Sequence, residues 1–444
     1  MMQINMHGVF NKRIGVISLG CDKNRVDTEK MLAILSQKHT LTTDYDNADV
    51  MIINTCSFLE SSRKEAIYEI LLAIEQKKQR LEKIIVTGCL PQKFLDEIKD
   101  ELIEVDAFMG VSDYHKILDV IDQIYSGQRV IEVGEPGKEC GTKRVLTTSG
   151  YAYLKIADGC SNHCTYCLIP FIRGKYRSVP IADLILEAKS LENVNELILV
   201  AQDTAKYGFD LNDGTNLVQL IRELSKLQNV KGIRLLYCYP ENVTDELIHE
   251  LAVNPKMIKY IDMPLQHADD GVLKLMNRKG TGEGYLALIE KLKSQVKGIA
   301  IRSTFIAGFP RESDEAFENL VEFLKKAKLF NAGFFKYSKE DGTAAARLDG
   351  QVPQAVKTAR YKKLYSVQKR VVKENNKALV GKTFKVMAEG FDDEQLVYYG
   401  RAYFNAPDID GKVYFFSSED VEYGEFYDIK IIKATGYDLY GERL

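Results

Sequence analysis

Short apolar, β-branched runs alternate with helical patterns over the first ~125 residues. Arg13–Leu19, Val50–Asn54 and Ile84–Thr87 read as strands, and each precedes a helical pattern, as in a parallel sheet with crossover helices. Ser62-Arg63-Lys64-Glu65 has the form of a capping box, followed at helical spacing by Ile67, Ile70, Leu71 and Ile74. Pro91 suits a helix start, and Ser112 is a candidate N-cap for a helix over Ile117–Tyr125 that Gly127 ends. After the polar connection Gln128–Gly150 the alternation resumes. Tyr151–Ala157, Glu196–Val200, Gly232–Tyr237, Tyr260–Met263, Ala300–Ala307 and Ala332–Tyr337 are the candidate strands, and six strand-helix units imply an incomplete parallel barrel. A long helix follows from about Pro353 to Ala378. The last stretch changes character: Thr383–Glu389, Leu396–Phe404, Lys412–Phe416, Phe426–Ile432 and Tyr437–Gly441 are β-type runs broken by Asp, Gly and Asn-Ala-Pro turns. Five short antiparallel strands predict a small barrel of the oligonucleotide-binding type. The fold class is therefore α/β, with domains expected over residues 12–127, 146–376 and 377–444.

Composition narrows the setting. At 444 residues the chain exceeds one compact core. Met1–Arg13 lacks the apolar middle of a signal peptide, and no apolar run approaches the ~20 residues of a spanning helix, so a cytoplasmic protein without membrane contact is expected. The net charge of −3 gives no global attraction to nucleic acid. Eight cysteines in a reducing compartment argue for metal or redox chemistry over disulfides.

Six of those cysteines fall into two sets of three. Cys160, Cys164 and Cys167 stand at Cys-x3-Cys-x2-Cys spacing directly after an expected strand. A cubane iron-sulfur cluster needs four ligands, so three thiolates leave one iron open to an exchangeable group. A zinc site borrowing His163, or a chance group of buried cysteines, is the alternative. Cys21, Cys56 and Cys89 each follow an expected strand, 35 and 33 residues apart. A parallel sheet would carry all three to one edge, where ligands of α/β sheets gather; three separately buried cysteines would be the plainer explanation. Cys140 and Cys238 have no partner at ligand spacing and read as incidental. Strand carboxyl ends also place Gln202, Asp203, Gln266, His267 and Gly308 around the mouth of the half-barrel. A missing Cβ at Gly308 could admit a ligand against the backbone, although a turn that needs glycine explains it equally well. His267 could donate to a cofactor or simply be satisfied by its neighbours.

The loop Gly159–Cys167 resembles the radical S-adenosylmethionine superfamily, in which the open iron chelates the amino and carboxylate groups of that cofactor. Together with Ser18-Leu19-Gly20-Cys21-Asp22-Lys23-Asn24-Arg25-Val26-Asp27, Asn54-Thr55-Cys56-Ser57-Phe58 and Thr87-Gly88-Cys89, it resembles the methylthiotransferase family over nearly the whole chain. That resemblance implies an N-terminal iron-sulfur domain, a radical core and a C-terminal TRAM barrel. It also implies two 4Fe-4S clusters held by Cys21, Cys56 and Cys89 and by Cys160, Cys164 and Cys167. S-adenosylmethionine would lie near Gln202, Gln266, His267 and Gly308. One cofactor molecule would methylate an exchangeable sulfur at the N-terminal cluster, and a second would give the radical that makes the carbon-sulfur bond. A flavodoxin-like or similar reductant and a sulfur donor are implied as partners. The basic stretch Arg173–Ser178 matches an arginine-rich family segment and could neutralise the cofactor's carboxylates, where the plainer account is a solvated face. Tyr337-Ser338-Lys339-Glu340-Asp341-Gly342-Thr343 and Gln351-Val352-Pro353 match further family motifs.

The substrate divides the family. Residues 377–444 hold eight Lys or Arg against thirteen Asp or Glu, a net of −5, which suits a basic protein better than tRNA phosphates. A merely solubilising surface is the alternative. Asp22-Lys23-Asn24, Leu265-Gln266-His267 and Glu340-Asp341-Gly342-Thr343 resemble the branch that modifies an aspartate β-carbon of ribosomal protein uS12, while Val179 departs from that branch's usual arginine. The competing expectations are methylthiolation of a tRNA adenosine, or an iron-sulfur electron carrier with an RNA-binding barrel and no chemistry.

Overall fold

The computed structural model describes residues 9, 11–137 and 141–444, so Cys140 lies outside the described residues. The chain forms two compact units: one runs to Thr147 and adds residues 158–162 and 167–190, and the other holds residues 148–157, 163–166 and 191–444.

In the first unit six parallel strands form one sheet: β1 (Arg13–Ser18), β2 (Thr40–Thr42), β3 (Val50–Thr55), β4 (Lys83–Gly88), β5 (Ala107–Met109) and β6 (Val130–Glu132). Their order is β2-β1-β3-β4-β5-β6. Helices α1 (Asp22–Leu35), α2 (Glu60–Lys77), α3 (Cys89–Ile98) and α4 (Ile117–Tyr125) connect them. Both faces of β3 and β4 are covered, which is why these strands read as continuous apolar runs. Ile53, Ile84 and Val86 meet Ile70, Ile74 and Leu90 on one side. Ile52 and Ile85 meet Met31, Leu35, Ile117 and Ile121 on the other.

Two cap expectations differ from the structure. Helix α2 begins at Glu60 behind Leu59, whose side chain makes no cap, so Ser62 already lies in the first turn and forms no capping box there. Leu71, on the expected apolar face, is 48% exposed. Ser112 precedes a short 3-10 turn, Asp113–Lys116, and makes no side-chain cap.

The second unit carries the half-barrel, a curled parallel sheet of β7 (Gly150–Lys155), β8 (Val194–Val200), β9 (Gly232–Leu235), β10 (Met257–Asp262), β11 (Ala300–Ala307) and β12 (Asn331–Lys336). These strands pair in sequence order. The helix Gln354–Lys377 then leads to a closed barrel of β13 (Thr383–Asp392), β14 (Val397–Arg401), β15 (Val413–Phe416), β16 (Phe426–Thr435) and β17 (Asp438–Arg443). The barrel is not wholly antiparallel: β15 and β17 pair in parallel and close it. Closure removes the free edges that five short strands would otherwise expose.

The small barrel packs against the amino-terminal ends of the half-barrel strands. Glu196 of β8 is buried between Arg234 at 2.6 Å and Arg401 at 2.7 Å, and Arg302 of β11 pairs with Asp410 at 3.4 Å. Gly150 and Gly424 touch so closely that a Cβ on Gly150 would lie 2.3 Å from the Gly424 Cα. With that end covered, the opposite, carboxyl ends of the strands remain for chemistry.

Candidate active site

Cys56 and Cys89 follow β3 and β4 directly, and Cys21 follows β1 by three residues. Since β1, β3 and β4 are neighbours in the sheet, the three thiols arrive at one edge. Cys21 is exposed, and Cys56 and Cys89 are buried. Burial pushes the Cys89 thiol up to about 12; the Arg173 guanidinium opposes that rise, while Cys56 and Cys21 add to it. Burial raises Cys56 as well, and Cys21 adds to the rise. The three thiols therefore lie within electrostatic reach of one another.

Two polar side chains hold these loops. Asn24 Nδ2 donates to Leu19 O (3.1 Å), ahead of Cys21, and to Thr55 O (2.9 Å), ahead of Cys56. Ser57 Oγ donates to Cys89 O at 2.9 Å. Gly20 and Gly88 take φ of +91° and +96°. A Cβ at Gly20 would stand 2.6 Å from the Cys56 Cβ, and one at Gly88 would stand 2.7 Å from Thr55 O, so both turns require glycine.

The Cys160–Cys167 loop leaves β7 through Gly159, where a Cβ would meet Lys175 O at 2.2 Å. Backbone amides point at two of its sulfurs: Asn162 N lies 3.5 Å from Cys160 Sγ and Ile169 N lies 3.4 Å from Cys167 Sγ. Amides directed at sulfur favour its anionic form. In the second unit, Cys164 Sγ sits 3.4 Å from the Tyr239 hydroxyl. The Arg278 guanidinium lies over the Tyr239 ring, 3.5 Å from its centroid, and Arg278 Nη2 donates to Pro264 O at 2.7 Å. Asp203, fully buried, accepts from Tyr239 N at 3.3 Å and from Asn242 Nδ2 at 2.8 Å.

The other expected mouth residues divide in role. Gln266 adopts φ of +70° and bridges Phe305 through its backbone. His267 is fully buried: its Nδ1 accepts from Asp269 N at 3.0 Å, and its Nε2 lies 3.3 Å from Glu312 Oε2. Glu312 in turn accepts from Gly308 N (2.9 Å) and Phe309 N (3.4 Å), and pairs with Arg360 at 2.6 Å. Glu312 thus holds the Gly308 turn, and His267 packs beside that carboxylate with its Nε2 making no hydrogen bond. Gly308 has φ of +74°, and its Cβ position is filled by Lys357 Cγ at 2.3 Å, so the turn and the packed helix account for this glycine. Cys238 is fully buried, with the Asp203 and Asp262 carboxylates acting on it. Glu340 is buried and accepts from Ser338 Oγ at 2.6 Å, shaping the turn after β12.

The basic stretch Arg173–Ser178 reads from sequence as solvated or cofactor-facing. The structure instead turns Arg173 inward, 1% exposed, onto Asp27, Asp158 and Asn24. Tyr239 was missed altogether. Its only sequence signal is its position just past the carboxyl end of β9.

The donor chemistry fits iron-sulfur groups: each set offers three soft thiols, and the seventh described cysteine, Cys238, belongs to neither set and is buried.

Comparison with known proteins places each part. The family model described as uncharacterized protein family UPF0004 matches residues 13–110, the radical SAM superfamily model matches residues 154–324, and the TRAM domain model matches residues 380–444. The chain is 45% identical over 436 residues to the ribosomal protein uS12 methylthiotransferase RimO of Clostridium botulinum (strain Eklund 17B / Type B), covering 97% of each. It is 46% identical over 437 residues to the protein of that name from Caldanaerobacter subterraneus subsp. tengcongensis, covering 97% of this chain and 100% of the relative. Among solved structures, the radical S-adenosylmethionine methyltransferase TsrM from Kitasatospora setae matches with a TM-score of 0.55 at 12% identity, over 74% of this chain and 75% of that one. The cobalamin-dependent S-adenosylmethionine radical enzyme OxsB matches with a TM-score of 0.53 at 13% identity, over 82% and 56% respectively. These two likenesses concern the fold.

Proposed function

The chain belongs to the RimO family of ribosomal protein uS12 methylthiotransferases, and on that premise we propose that it adds a methylthio group to the β-carbon of an aspartate of uS12. It is a radical S-adenosylmethionine transferase. The observation that supports the two-site chemistry best is the pair of three-thiol sets, one at the carboxyl ends of β1, β3 and β4 and the other on the loop that follows β7. We assign Cys21, Cys56 and Cys89 to one 4Fe-4S cluster and Cys160, Cys164 and Cys167 to a second. S-adenosylmethionine is placed at the mouth near Gln202, Gln266, His267 and Gly308. The domain bounds that go with this reading are residues 12–127, 146–376 and 377–444. Among the described residues no helix is long and apolar enough to cross a membrane. Action on a ribosomal protein supports a cytoplasmic enzyme whose partners are a flavodoxin-like or similar reductant and a sulfur donor, with tRNA not among its substrates.

When bound, the radical cluster and S-adenosylmethionine supply a 5'-deoxyadenosyl radical that abstracts hydrogen from an unactivated carbon. The chain's own part is placement. Tyr239 holds Cys164 through its hydroxyl, Asp203 fixes the Tyr239 backbone, and the Glu312 carboxylate pins Gly308 and Phe309. Asn24 ties the Cys21 and Cys56 loops together. Such fixed geometry is what proximity catalysis draws on.

The test is anaerobic iron and sulfide analysis combined with two variants. The reconstituted chain should hold about eight irons, two cubanes of four each. Cys164→Ala should lose cleavage of S-adenosylmethionine, whereas Cys56→Ala should still form 5'-deoxyadenosine but transfer no methylthio group. About four irons in the parent, or retained transfer in Cys56→Ala, would overturn the assignment.

A further inference from the structure

Arg173 is among the largest fully buried side chains of the protein, and two carboxylates hold its guanidinium. Its Nη1 donates to Asp158 Oδ2 at 2.9 Å; its Nη2 donates to Asp27 Oδ2 at 3.0 Å and to Asn24 Oδ1. The same Nη2 lies 4.0 Å from Cys89 Sγ. Asn24 is the residue that ties the Cys21 and Cys56 loops, so one guanidinium and one amide reach all three thiol loops. Asp158 stands two residues before Cys160, and Arg173 stands six after Cys167, so this ion pair also joins the two ends of the radical loop.

A charge in such a site is felt strongly, because few water dipoles remain to screen it. The two carboxylates of Asp27 and Asp158 outnumber the single guanidinium, but it is the guanidinium that stands 4.0 Å from Cys89 Sγ. At Cys89, Arg173 acts more strongly than Asp27, and it reaches Cys56 as well. An arginine does not lose its proton, so the charge is permanent.

We propose that Arg173 is a positioning residue for the N-terminal sulfur site, whose fixed positive charge favours the more reduced, more negative state of the group that Cys21, Cys56 and Cys89 hold. The inference rests on the reading that those thiols bind an iron-sulfur cluster. Cluster potentials follow local charge and hydrogen bonding to sulfur, so removing this cation makes reduction harder and removing a neighbouring carboxylate makes it easier.

The experiment uses the full chain with Cys160→Ala, Cys164→Ala and Cys167→Ala, reconstituted anaerobically with iron and sulfide, so that only the N-terminal thiols can bind a cluster. The midpoint potential is read by dithionite titration followed by electron paramagnetic resonance. Arg173→Gln should weaken the reduction equilibrium at least about tenfold, ~59 mV for one electron. Arg173→Lys should stay close to the parent, and Asp27→Asn should move in the opposite direction. A potential unmoved by Arg173→Gln, or Arg173→Gln and Asp27→Asn moving the same way, overturns the proposal. If Arg173→Gln fails to fold, Asp27→Asn decides: an upward shift supports the proposal and an unmoved potential overturns it. A parent that binds no iron overturns the cluster reading itself, and the inference with it.

Discussion

Replacing Gly20 by alanine should strip the N-terminal thiols of iron while sparing the radical loop. Gly20 sits at φ +91°, outside the range that L side chains favour. Holding alanine there costs on the order of 1–3 kcal/mol. The new methyl would also stand 2.6 Å from the Cys56 Cβ and 3.0 Å from its Sγ. Relieving such overpacking costs about 1–3 kcal/mol more, and the atom that must give way is the thiol carrier itself. Gly127 supplies the control, because it has nearly the same φ, +89°, with nothing within 4 Å of its Cβ position. Gly127→Ala should lose only the backbone contribution and keep its iron. Anaerobic iron analysis of Gly20→Ala should find about four irons, the content of one cubane, with 5'-deoxyadenosine still formed and no methylthio transfer. Full iron in Gly20→Ala, with a stability loss no larger than that of Gly127→Ala, would refute the steric argument.

Glu196→Gln should destabilise the chain by about 3–5 kcal/mol in urea melts at pH 7, because two buried guanidiniums lose their shared carboxylate. Burial alone would raise the Glu196 carboxyl, but Arg234 and Arg401 outweigh it and hold it below the ordinary 4.5. Its stabilisation is therefore full above pH 4.5 and lost as pH falls through the lower folded value, so the variant should show a shallower loss of stability below pH 4.5; an unchanged slope would count against the assignment. Tyr239→Phe removes the hydroxyl beside Cys164 Sγ and should lower the radical cluster's potential. A hydrogen bond of ordinary strength, about 0.5–1.5 kcal/mol, corresponds to a downward shift of about 20–60 mV for one electron. The same potential in both proteins would show that the contact is only structural.

The strands and the thiol edge were legible because the signals are local. A β-branched run followed directly by cysteine states its own position, and three such runs place three thiols at one sheet edge. β2, β5 and β6 escaped because three residues carry no readable period. The parallel β15–β17 pair escaped because alternation specifies faces and says nothing of strand direction. Ser62-Arg63-Lys64-Glu65 misled because packing started α2 at Glu60, one turn ahead of the local signal. Charged partners were the least legible: Glu196 meets Arg401 from 205 residues away, and Arg173 meets Asp27 from 146. A basic stretch read alone looks solvated, and only the folded chain reveals that its first arginine is buried among acids.

The substrate assignment meets its most direct test in mass spectrometry of ribosomal protein uS12 and of tRNA from cells with and without this protein. Deletion should remove one methylthio group from the uS12 aspartate and leave tRNA nucleosides unchanged. Methylthiolated adenosine disappearing from tRNA, with the uS12 aspartate still modified, would contradict it.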